Sequence, residues 1–186
     1  SHADSCALTQ PMKLPKGRTP PAPIAFPHRI GWTNEIFLFS AHFHRHNNLN
    51  CFFDDEDYEF YLASLQKAAE QYDVDLHAYV LMPNAIQMVA TPNIANGISS
   101  MMQSLGRRYV QYVNHRYQRS GTLWGGRYKS SVIDSEAYLL TCYRYVELKP
   151  MHEGIVESPE LYEWSSFNHH TGRKKSKILE DHRLYL

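Results

Sequence analysis

Apolar and polar residues change rhythm several times along this chain, and each change marks a boundary between elements. The run "EIFLFSAHFH", from residue 35, is apolar and aromatic and alternates towards its end, a pattern that suits a strand. In "DDEDYEFYLASLQKAAEQYD" acids stand at the start and Phe60, Leu62, Leu65, Ala68 and Ala69 fall near helical spacing. With no Pro or Gly inside, the segment predicts a first helix. "DLHAYVLMP" and "AIQMVATP" are two short β-type runs separated by a turn at Pro83 and Asn84. After Pro92, "IANGISSMMQSLGRRYVQYVNHRY" puts Ile98, Met101, Met102, Leu105, Tyr109, Tyr112 and Val113 on one stripe, which predicts a second helix weakened but not ended by Gly106. "SGTLWGGRYKSSVID" is a glycine-punctuated, strand-prone connection. "SEAYLLTCYRYVELKP" predicts a third helix, capped by Ser135 and closed before Pro150.

The order strand, helix, strand, strand, helix, strand, helix predicts an α+β fold: a ferredoxin-like antiparallel sheet of the split βαβ type with helices packed on it. One domain is expected over residues 31–172. Residues 1–30 hold Pro11, Pro15, Pro20, Pro21, Pro23 and Pro27 among Lys13, Lys16 and Arg18, and read as an extended basic arm. Residues 173–186 read as a basic, loose tail. With 186 residues, 43% of them hydrophobic and 20% charged, the chain is long enough for one proper core.

The formal net charge is zero, so total charge makes no case for a polyanionic partner, but its distribution does. Residues 54–75 are rich in acid, whereas Leu76 to Ile133 contain no Asp or Glu and carry Arg107, Arg108, Arg116, Arg119, Arg127 and Lys129. An acid-free segment with clustered Arg, Tyr and Trp supplies what a phosphate-binding surface with stacking platforms needs. A solvated helix face with uneven charge is the plainer reading. Cys6, Cys51 and Cys142 are odd in number and widely spaced, form no CxxC pair, and point to a reducing cytoplasm. No apolar run approaches the roughly 20 residues that span a bilayer, so no membrane partner is expected.

"AYVLMPN" with the β-run after it, "MMQSLGRRYVQYVN", "RSGTLWGGRYKSS" and "YLLTCYRYVELKP" together resemble the single-tyrosine transposases of the HUH class, and in particular the repeat-associated tyrosine transposases of bacteria. The resemblance runs from about Arg45 to Trp164. It implies a bacterial cytoplasmic protein acting on single-stranded or hairpin DNA. In that family a His-hydrophobic-His pair after the "MPN" turn holds a divalent ion, and a helix-borne Tyr attacks a DNA phosphate to give a 5′-phosphotyrosine link. Carried onto this chain, the nucleophile is Tyr145. The His pair falls on Ala85 and Gln87, and the Asn that completes the family's metal site falls on Lys149.

Alanine has no donor atom, glutamine offers a neutral oxygen, and lysine is a cation. The resemblance therefore implies a DNA-binding protein whose metal-ligand positions are lost, with no metal expected in this form and cleavage absent or weak. Two alternatives remain: an active nickase that uses Tyr145 with Mg²⁺ or Mn²⁺, and an RNA-binding module on the same sheet. Lys149, one helical turn from Tyr145, could meet a phosphate in place of the ion, or could simply favour the negative end of its helix.

The expected DNA contacts are Arg119, Trp124, Arg127 and Lys129 in the glycine-rich stretch, then Arg107 and Arg108, together with Lys149. "HFHRH" puts His42, His44 and His46 at alternate positions about 6.6 Å apart on one strand face. They are a second, weaker metal candidate, since adjacent imidazoles on one strand diverge more than tetrahedral ligation favours. Tyr109, Tyr112 and Tyr117 are expected to pack in the core, with base stacking, and for Tyr112 a role as a secondary nucleophile, as the alternatives.

Overall fold

The computed structural model describes residues 35–42, 50–124, 128–133, 136–180 and 182. The proline-rich arm, His44, His46, Arg127 and the expected cap Ser135 lie outside the described residues, as does the side chain of His42. Four strands, β1 (Phe37–His42), β2 (Val74–Met82), β3 (Ala85–Pro92) and β4 (Lys129–Val132), form one antiparallel sheet in the order β2-β3-β1-β4. That is the split βαβ, ferredoxin-like arrangement read from the order of elements. The long helices are α1 (Asp55–Gln71), α2 (Gly97–Arg116) and α3 (Glu136–Glu147), followed by the short α4 (Lys149–His152) and α5 (Phe167–His170).

Side chains alternate across a strand, and the two sets build two cores. Phe37, Phe39, Leu81, Ile86, Met88 and Ala90 join α1 and α2 on one face. Ala78, Val80, Met82, Ala85 and Val89 join Leu139, Cys142, Tyr143 and Val146 of α3 on the other. Every residue of β3 is buried, because it is central and covered on both sides.

Helix α1 starts at a capping box: the Asp54 carboxylate accepts from the Asp57 N–H, and the Asp57 carboxylate accepts from the Asp54 N–H. Its buried stripe is Asp57, Tyr58, Tyr61, Ser64, Leu65, Ala68 and Ala69, so Phe60 and Leu62 sit at the margin and two tyrosines take the centre. Helix α2 begins at Gly97, where a β-carbon would come 2.7 Å from the carbonyl oxygen of Tyr72, a contact only glycine avoids. Gly106 leaves α2 unbroken, as expected, and gives the Trp124 indole room to lie against the helix. The third helix closes at Glu147, before Pro150, as expected; Pro150 itself sits in the first turn of the short α4, where its missing N–H costs nothing.

The tail is a second correction. Residues 173–180 are not loose: Leu179 is buried, and the Glu180 N–H donates to the Leu76 carbonyl at 2.8 Å. Upstream, the Leu81 N–H donates to the Trp164 carbonyl and the Ser166 N–H to the Tyr79 carbonyl. Both segments therefore cover the open edge of β2, which would otherwise present unpaired backbone groups. Apolar Ile178 and Leu179 within the basic text anchor it.

Candidate functional site

Alternation along β3 sends Ala85, Gln87 and Val89 to the side where α3 packs. Ala85 and Val89 both belong to that core, and Tyr145 borders it, half-buried on α3. The two positions singled out on β3 and the tyrosine singled out on α3 thus share one face of the sheet. Strand register extends that face sideways: Gln87 pairs with Val80 on β2 and Ser40 on β1, and Ser40 pairs with Lys129 on β4. Position 42 stands opposite Ala85. Paired residues on neighbouring strands point to the same side, so exposed Lys129 lies in the row that crosses Gln87.

The chemistry of this face is sparse. Ala85 contributes a methyl group. Gln87 is only 5% exposed, and among the described residues its Oε1 has no hydrogen-bond partner. Lys149 places its ammonium 5.7 Å from the centre of the Tyr145 ring and 2.6 Å from Glu153 Oε1. The Lys149 charge is thus already shared between an aromatic face and a carboxylate, and does not stand free before the tyrosine hydroxyl. Among the described residues no group of three His, Cys, Asp or Glu side chains is arranged to hold a metal ion. One neutral amide oxygen, a methyl group and a paired ammonium do not fit a divalent cation.

A polar cluster sits beneath this site. Glu147, two residues beyond Tyr145, is 6% exposed, and its Oε1 accepts from the Ser166 hydroxyl at 2.5 Å and is paired with His170 Nδ1. The His170 ring stacks on Tyr143 with centroids 5.1 Å apart. The sequence carried a signal for this: Glu147 continues the stripe Leu139, Cys142, Tyr143, Val146, so a carboxylate occupies a core-facing position and requires a buried partner.

The expected DNA contacts do not form one surface. Arg107 and Arg108 are exposed on α2, on the face of the sheet away from α3, and Arg108 borders a shallow groove with Phe60, Ala63, Ser64 and Lys67. Arg119 is exposed in the turn after α2. Trp124 is half-buried against α2, its Nε1–H aimed at the Gly106 carbonyl 3.4 Å away, so its ring is not an open stacking platform. Arg116 is held by Asp54 at 2.6 Å, by Glu56, and by Asp57 at 3.8 Å. The acidic stretch thus neutralises part of the basic one. Tyr112 and Tyr117 both donate to Asp57, and burial, with that hydrogen bond second, pushes the Tyr112 hydroxyl up to about 12. Tyr109 is buried and donates to the Cys51 carbonyl at 2.6 Å, so all three tyrosines belong to the scaffold.

The family model described as "Transposase IS200 like" matches residues 40–149, well over half of the chain. The chain belongs to that family. The match opens midway along β1 and closes at Lys149, so it takes in the end of β1, the other three strands and α3 with Tyr145 and leaves the C-terminal segment outside. Among solved structures, the chain is similar to the REP-associated tyrosine transposase bound to a REP hairpin. The TM-score is 0.67 at 14% identity over 87% of this chain and 93% of that one, which shows a shared fold. It is also similar to a Deinococcus radiodurans protein assigned as a transposase, with a TM-score of 0.43 at 15% identity over 62% of this chain and 92% of that one. No curated protein is significantly similar to it in sequence. No helix among the described residues is long and apolar enough to cross a membrane.

Proposed function

We propose that this transposase-family protein binds single-stranded or hairpin DNA and that its metal-dependent strand cleavage is absent or weak. The observation that carries this reading is the content of the α3 face. Positions 85 and 87 share that face with Tyr145, yet they hold a methyl group and a buried amide, and Lys149 is paired with Glu153. Transfer of a phosphoryl group to a tyrosine requires stabilisation of charge developing on the phosphate oxygens. Nothing within this donor set supplies it as a divalent ion would. Binding needs less: exposed cations that neutralise phosphates, as Arg119 and Lys129 offer, with Arg127 as a further candidate from the sequence. The neighbour of the same fold that was solved with a REP hairpin supports DNA as the partner.

The test is a pair of gels with a labelled DNA hairpin carrying a single-stranded extension, run with Mg²⁺ or Mn²⁺. The expected result is retention on the native gel and no protease-sensitive, retarded band on the denaturing gel. Tyr145→Phe should leave affinity unchanged, while Arg119→Ala with Lys129→Ala should weaken it in a salt-dependent way. A covalent band in the unmodified protein that disappears in Tyr145→Phe would establish the active-nickase reading instead.

A further inference from the structure

Within five residues, "RKKSK" at 173–177, the C-terminal segment concentrates four cations, Arg173, Lys174, Lys175 and Lys177, and all four are exposed. Among the described residues only Arg173 has a carboxylate near it, Glu160 at 4.0 Å. Lys174, Lys175 and Lys177 have no acidic partner there. Arg116, in contrast, is surrounded by three acids.

The segment is also fixed. The Arg173 and Lys174 N–H groups both donate to the Asn168 carbonyl at 2.9 Å, and the Ser176 N–H donates to His169 Nδ1 at 3.0 Å. On its far side Leu179 is buried and Glu180 is bonded to Leu76. On its near side Ser166 and His170 are fastened to Glu147, two residues from Tyr145. A basic loop held at both ends has already lost the freedom that a flexible tail gives up on binding.

Its position completes the argument. The strap runs along the β2 edge of the sheet, Lys129 lies on the β4 edge, and α3 with Tyr145 packs over the face between them. The two edge strands are about 14 Å apart, three strand spacings. Ser166 and His170 hold the near end of the strap on the α3 side, whereas Leu179 holds its far end in the α1/α2 core; a nucleic-acid strand that spans both edges over the α3 face would pass the tyrosine helix.

We propose that Arg173, Lys174, Lys175 and Lys177 form a docking strap for the phosphate backbone of the bound DNA, tied through Glu147 to the helix that carries Tyr145. The proposal rests on the DNA-binding reading above and adds a surface outside the family match. The segment contains no aromatic side chain to stack on a base, so the strap positions the DNA and adds affinity without reading its sequence.

The experiment is equilibrium binding of the full chain to a synthetic DNA hairpin with a single-stranded overhang, repeated from about 50 to 200 mM salt, the range over which phosphate contacts lose affinity. The quadruple variant Arg173→Ala, Lys174→Ala, Lys175→Ala, Lys177→Ala should bind at least about tenfold more weakly. Its slope of log K against log salt should flatten by about 3 to 3.5, since each of the four lost phosphate contacts removes about 0.7 to 0.9. The variant Lys174→Arg, Lys175→Arg, Lys177→Arg should keep both, because charge and not side-chain shape is at work. Unchanged affinity in the alanine variant, with Arg119→Ala and Lys129→Ala weakened, overturns the strap and leaves the DNA reading intact. Weaker binding with an unchanged slope also overturns it, since the loss then comes from elsewhere in the fold. No binding by the unmodified protein overturns both.

Discussion

Asp57 and Gln87 are both polar and both buried, one 0% and the other 5% exposed, on opposite faces of the same sheet. Asp57, in the α1/α2 layer, accepts from the Phe53 and Asp54 N–H groups and from the Tyr112 and Tyr117 hydroxyls, with Arg116 beside it. Gln87, on the α3 side of the sheet, has no partner for its Oε1 among the described residues. Folding alone explains the first: a carboxylate inside a protein persists when donors surround it. Folding alone does not explain the second, which lies on the face of the sheet where the tyrosine helix packs. The α1/α2 face is not free of unpaired groups, since the Tyr61 hydroxyl lacks a partner too, but it belongs to a ring whose burial offsets that loss. The difference sets a buried carboxylate well supplied with donors against a buried amide oxygen that has none among the described residues.

The largest effect is expected where the scaffold is best satisfied. Asp57→Ala removes the acceptor for several donors at once and loosens the junction of the α1 start with the α2 end. A loss of about 3 kcal/mol is expected from the cost of breaking such a buried network, measured as a lowered urea midpoint. Asp57→Asn, which keeps one acceptor oxygen, should lose less. A loss below about 1 kcal/mol would remove the contrast, because Asp57 would then be a solvated cap and not a clamp.

How much of this was legible depends on distance along the chain. Strand alternation and helical stripes are local, so the four strands, the three long helices and the side of β3 on which positions 85 and 87 lie could all be read from neighbouring residues. The acids at 54–57 were legible as a helix start, and the capping box bears that out. Their second role, holding Arg116 and two tyrosines some sixty positions away, required the tertiary approach of α2. The tail misled for a related reason: its lysines suggested a loose end, whereas Leu179 decides its fate by joining a core built from distant residues. Glu147 was readable in principle, as an acid on an apolar stripe, but its partners were not.

The tail junction gives the next, intermediate test. His77 is buried; one ring nitrogen contacts the Glu180 carbonyl and the other the Thr91 hydroxyl, each at 2.8 Å, and the His182 ring lies 5.3 Å away. Burial lowers its pKa below the ordinary 6.5, with neighbouring His182 acting in the same direction and the Glu180 contact opposing. The unfolded chain therefore binds this proton at a higher pH than the folded one. Stability should decline as pH falls below about 6.5 and level once the folded group also protonates. His77→Gln, which keeps a donor and an acceptor, should flatten the decline between pH 7 and 5 in urea titrations. An equally steep decline in the variant would assign the acid sensitivity to other groups.

Gln87→Leu is the smallest expected effect and the sharpest for the comparison, because its sign is opposite to that of Asp57→Ala. The variant replaces a buried amide, whose oxygen is unpaired, by an apolar side chain of similar size facing Val80, Ala85 and Val89. Removing an unsatisfied polar group recovers its desolvation cost, about 1 kcal/mol or somewhat more, provided the leucine packs without strain. The urea midpoint should rise with the m-value unchanged. An unchanged or lowered midpoint would mean that water already satisfies the amide, and Gln87 would then resemble Asp57 as a completed part of the scaffold. A raised midpoint would mean that the α3 face carries a cost that its packing does not require. Such a cost is tolerated as long as the fold stays above its stability threshold, and it lies on the same face of the sheet as the helix that carries Tyr145.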